Sequence, residues 1–146
     1  MRSRFLPPYD TLHVSLIGEQ KGGSLWRLER VLIFYSESLD AEIRVPMGFI
    51  TDFSSVPRLP FMYWWFGNRA SRPGVIHDWL YEKAKVQGRP ITRSQADEVW
   101  REACDADGQD YLSSRSMWAG IRAGGWWAWR DHRKRNGYEP RFPDTP

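Results

Sequence analysis

Two hydrophobic rhythms divide this chain. Between residues 11 and 50 apolar side chains alternate or run in short β-rich stretches, whereas beyond Gly67-Asn68 they recur at helical spacing. Leu12, Val14 and Leu16 share one face of a first strand, and Trp26 and Leu28 belong to a second, with Lys21-Gly22-Gly23-Ser24 as the turn between them. Val31-Leu32-Ile33-Phe34-Tyr35 is a third run. Ile43, Val45 and Phe49-Ile50 read as a further pair broken at Pro46 and Gly48, because proline cannot donate to a ladder. A small antiparallel sheet over about residues 9–50 is the expectation.

The second rhythm predicts a C-terminal part of three helices within about 59–136, so the fold class is α+β. Leu59 to Phe66 is an aromatic segment compatible with a short helical piece. Ser71 can cap a helix with Pro73 in its first turn, running through His77 to about Val86 before Gly88-Arg89-Pro90. Thr92 and Gln95 stand at capping-box spacing and open a helix reaching about Asp105. A third starts near Ser113 or Ser114, carries Met117, Trp118, Ile121, Gly125 and Trp129, and frays in 133–137. An extended tail, 137–146, completes one expected domain, 1–146, in which 51–58 forms an ordered loop.

At 146 residues and 41% hydrophobic, the chain can bury a sizeable core. One cysteine, Cys104, rules out an internal disulfide framework, and its place on an apolar stripe predicts a buried thiol. No signal peptide or membrane-length apolar run is visible, so a soluble protein is expected. A net charge of +3 with dispersed basic residues does not indicate dedicated nucleic-acid binding.

The chemistry concentrates in His77-Asp78-Trp79-Leu80-Tyr81. On a helix His77 and Tyr81 are i and i+4 neighbours flanked by Asp78, on the arc opposite Val75, Ile76, Trp79 and Leu80. That phase turns the polar triplet away from the main core. Asp97 lies at the edge of the stripe Ala96, Val99, Trp100, Ala103, while Glu98, Arg101 and Glu102 point outward. A carboxylate at a packing edge needs a partner. His77 would make it the orienting group of a general base; Tyr81, Ser94 or a backbone amide would make it structural. Asp52, Ser54 and Ser55 precede the helix and are further cleft residues, either as part of a Ser-His-Asp triad or, for Asp52, as a loop-ordering acceptor. No nucleophile-elbow spacing surrounds the serines, and no oxyanion motif is evident. His77, Asp78 and Asp52 as a zinc set lack recognisable spacing. His13 and His132 are expected at the surface.

His77-Asp78-x-x-Tyr81 followed by Asp97 resembles the His-Asp helix of secreted and parvoviral phospholipases that cleave an ester with calcium. The resemblance implies His77 as base for water, Asp97 as its orienting carboxylate, Tyr81 bonded to Asp97, and Asp78 as a calcium ligand. The match spans about residues 74–104; the glycine-rich calcium loop and the flanking cysteines of the secreted branch are missing. One carboxylate cannot by itself hold calcium, which takes six to eight oxygens.

A longer pattern, Val45-Pro46-x-Gly48-Phe49-x-Thr51-Asp52-x-x-Ser55-Val56-Pro57-Arg58, then Gly74-Val75-x-His77-Asp78-x-Leu80-Tyr81 and Ala96-Asp97, is similar to a domain-of-unknown-function family of tailed bacteriophages. It implies phage or prophage origin, with the host cytoplasm or the phage virion as the expected place, and no established activity. The expected function is a His/Asp esterase-like hydrolase; the alternative is a non-enzymatic virion or tail-associated protein with a structural His-Asp-Tyr network.

Nine tryptophans are the compositional outlier. Trp126, Trp127 and Trp129 span about 160° of the helical circumference, wider than one narrow core stripe, so at least one is expected to face solvent, another element or a partner. With Arg122, Arg130, Arg133, Lys134 and Arg135 nearby, the partners expected are phage structural proteins or an anionic membrane surface.

Overall fold

The computed structural model describes residues 1–20, 23–52, 71–108 and 111–135. Strands β1 (Arg4–Phe5), β2 (Val14–Gln20), β3 (Gly23–Leu28), β4 (Leu32–Ser36), β5 (Ala41–Val45) and β6 (Ile50–Thr51) form two three-stranded antiparallel sheets, ordered β1-β4-β5 and β2-β3-β6. The single sheet expected is therefore two, and the break at Pro46 and Gly48 is where the chain leaves one for the other. Leu32 pairs with Val45, but after Gly48, at φ 91°, Ile50 pairs with Arg27. Gly48 N–H donates to Leu28 O at 2.7 Å, tying the crossing to β3.

Helix α1 (Arg72–Lys83) begins as expected: Ser71 Oγ accepts from Gly74 N–H, and Pro73 occupies the first turn where no amide donor is needed. It stops at Ala84 in the left-handed region, short of the expected Val86. Lys85–Val86 (β7) and Arg89–Pro90 (β8) instead form a hairpin that periodicity did not reveal. Its two-residue turn, Gln87 at φ 50° and Gly88 at φ 77°, has the positive φ pair such hairpins require. Helix α2 (Arg93–Ala106) carries both halves of the Thr92/Gln95 capping box. Helix α3 (Tyr111–Arg135) starts a little before the expected serines.

The three helices pack on one another, and α1 also meets β5 and β6, while α2 meets β1 and β4. Leu80, Val99 and Trp100 are core as expected, but Trp79 is only half-buried, edge-on to Phe49 at 5.1 Å. The expected phase of α1 fails on its polar side: His77, Asp78 and Tyr81 are buried along with Val75, Ile76 and Leu80. Neighbours on several sides leave α1 only a narrow part-exposed strip, Arg72, Trp79, Glu82 and Lys83, and the polar triplet does not lie on it. Glu102, expected to point outward, is buried as well. Its carboxylate accepts from Ser36 Oγ at 2.6 Å and Ser38 N–H at 2.8 Å, fastening α2 to the end of β4. Among the described residues no helix is long and apolar enough to cross a membrane.

Candidate functional site

Asp97 is the centre of the buried chemistry, and all three helices supply its partners. Its Oδ1 accepts from Tyr81 Oη at 2.6 Å and from His77 Nε2 at 2.9 Å, both on α1. Its Oδ2 accepts from Arg122 of α3 at 2.9 Å and lies 3.4 Å from the Arg93 guanidinium, one turn earlier on α2. An ionised carboxylate only accepts, so His77 carries its proton on Nε2 and proton transfer from this ring would run through Nδ1. His77, Tyr81, Arg93 and Asp97 are buried; Arg122 is partly exposed.

Burial first, and then the neighbouring Asp97 charge, push the Tyr81 phenol well above its ordinary value of 10.0. It therefore remains a neutral donor to Asp97 where a free phenol would ionise. Above that ordinary value the unfolded chain releases a proton that the folded chain keeps, so this contribution is complete below it and declines as pH rises. Urea unfolding of wild type and Tyr81→Phe should give a stability gap that is constant to about pH 10 and narrows above it. A gap that widens with pH would show that the folded phenol ionises first.

Asp78 faces a different neighbourhood. Its Oδ2 accepts from Thr51 Oγ1 at 2.7 Å, and its Oδ1 lies 4.0 Å from His132 Nε2. His132, expected at the surface, is buried where α3 crosses α1, and its Nδ1 stands 2.8 Å from Glu82 Oε2. His13 is exposed, as expected. Among the described residues no group of three metal-ligating side chains converges, so Asp78 with Thr51 and an imidazole does not fit the oxygen-rich shell that calcium needs. Asp52 is half-buried beside Thr51; Ser54 and Ser55, the rest of the motif loop and the segment 59–66 lie outside the described residues. Burial also raises the Cys104 thiol far above its ordinary value, which removes it as a nucleophile.

Helix α3 contributes more than its sequence pattern announced. It passes Tyr81 so closely that a Cβ on Gly125 would stand 2.5 Å from the phenolic oxygen. Arg133 donates to the carbonyls of Tyr81 and Glu82, groups that the last turn of α1 leaves without helical partners. Arg93 had a local signal, since it precedes Asp97 by four residues. Arg122, Gly125, His132 and Arg133 had none, because their roles depend on how α3 crosses α1 and α2.

Comparison with known proteins adds one relationship. No curated protein and no solved structure matches the chain. The family model described as "Protein of unknown function (DUF1353)" matches residues 26–121, about two thirds of the sequence, a span that includes His77, Tyr81, Arg93 and Asp97 and ends one residue before Arg122. With that match over most of its length, the chain belongs to the DUF1353 family.

Proposed function

We infer that the chain is a His/Asp hydrolase of carboxylic esters, with His77 as general base and Asp97 as the group that holds its ring. The observation that carries this reading is the convergence of His77 Nε2 and Tyr81 Oη on one oxygen of Asp97, at 2.9 and 2.6 Å. That geometry fixes the imidazole's tautomer and supplies the counter-charge for an imidazolium. In the reaction, Nδ1 would take a proton from water while its oxygen attacks the acyl carbon, and the proton would pass to the departing alkoxide. The motifs around Val45–Arg58 and Gly74–Tyr81 support phage or prophage origin as part of this reading.

A second reading is supported by the burial of His77 and Asp97 and by the two guanidiniums on Asp97 Oδ2. These are features of a structural hub in a non-enzymatic protein, including a virion or tail component, where a buried carboxylate is retained with every acceptor position engaged.

Esterase assays on short acyl esters and on phospholipid decide between them. For a catalytic His77, His77→Ala should retain the helical circular-dichroism spectrum and lose at least about a hundredfold in kcat/KM, the usual scale of a general base. A wild-type protein inactive on both substrate classes, together with a His77→Ala variant that is only less stable, would establish the structural reading.

A further inference from the structure

The outward face of α3 carries a continuous stripe: Leu112, Ser116, Ala119, Ala123, Trp127, Arg130 and Lys134 are all exposed. At 100° per residue these positions fall within a sector of about 80° along some 33 Å of helix. Trp127 is 66% exposed and Leu112 76%, large apolar surfaces left in water. Trp129, by contrast, is core, edge-on to Tyr81 at 5.2 Å. Trp126 is half-buried and covered by the Arg130 guanidinium at 4.7 Å, with its ring against Trp127 at 4.3 Å.

We propose that this stripe docks on an anionic phospholipid bilayer, with Leu112 and Trp127 entering the headgroup region and Arg130 and Lys134 facing the lipid phosphates. Indole rings beside cationic side chains suit that boundary, where the ring finds an apolar phase and the charge a wet, anionic one. Basic residues in a last turn also offset the helix dipole, which accounts for Lys134 and Arg135. The dipole does not account for an exposed tryptophan on the same sector. The small residues between Leu112 and Trp127 leave the stripe low and even, so both ends can touch one plane. A second copy of the chain is a poorer occupant, because the stripe itself contains two basic residues and the only carboxylate of α3, the exposed Asp131, lies about 40° beyond its edge.

The surface is separate from the Asp97 network, so the proposal stands or falls independently of whether His77 is catalytic. Co-sedimentation of the full chain with vesicles of phosphatidylcholine, alone or mixed equally with phosphatidylglycerol, tests it. Binding is expected only to the anionic vesicles and should be largely lost at about 0.5 M salt. Trp127→Ser and the double change Arg130→Glu/Lys134→Glu should each weaken it at least about tenfold while the circular-dichroism spectrum is unchanged. Absence of binding to anionic vesicles, or binding that neither variant weakens, overturns the proposal. So does a dimer in light scattering that Trp127→Ser converts to monomer, which would make a second copy the occupant.

Discussion

Asp97→Ala is expected to lose about 3–5 kcal/mol of folding stability, the cost typical of removing one partner from a buried charge pair. The substitution removes the acceptor shared by Tyr81, His77, Arg122 and Arg93 and strands their donors in the interior. Small domains hold only about 5–15 kcal/mol in total, so the variant should sit close to unfolding at room temperature. Asp97→Asn keeps the volume and one acceptor but turns an amide N–H₂ toward a donor, and should recover only part of the loss. Urea titration of both variants measures the effect. A loss below about 1 kcal/mol for the alanine variant would mean that the arginines and the imidazole find other acceptors when the carboxylate is removed.

Gly125→Val should cost about 2–5 kcal/mol, combining overpacking with a displaced buried hydrogen bond. The new Cβ would stand 2.5 Å from Tyr81 Oη, closer than a side-chain carbon normally approaches an oxygen, and the phenol is packed against Trp129 and His132. Either Tyr81 loses Asp97 or α3 shifts away from α1. Combining Gly125→Val with Tyr81→Phe separates the two outcomes. If the collision is with the hydroxyl, removing that oxygen should restore a large part of the stability; if the helix spacing itself is violated, the double variant should be no better than Gly125→Val alone.

Features contained within a few residues are legible in the sequence. The Ser71 and Thr92 caps depend on a side chain and an amide three positions apart, and Pro46 with Gly48 breaks a strand wherever the strand packs. His77, Tyr81 and Asp97 were legible as a group because two share a helical face and the third stood at the edge of an apolar stripe. Amphipathic phase misled at His77, Asp78 and Glu102, and the basic residues around His132 suggested a surface position; all four lie on helices covered from more than one side. A hydrophobic stripe identifies one buried face of a helix and carries no information about a second. The β7–β8 hairpin escaped because its strands are two residues each, too short for any period to register.

Arg93 stands one helical turn before Asp97 on the same element, and this has a consequence for the order in which the chain is made. Synthesis delivers α1 and α2 before α3, so the two earlier helices can meet before Arg122 has been translated. Because Asp97 travels with a cation four residues away, it meets His77 and Tyr81 of α1 as half of an ion pair and not as a bare anion. The counterion from α3 then arrives as reinforcement to a pair already neutral. Without Arg93 the first meeting of α1 and α2 would bury that carboxylate on the hydrogen bonds of His77 and Tyr81 alone, at a larger desolvation cost.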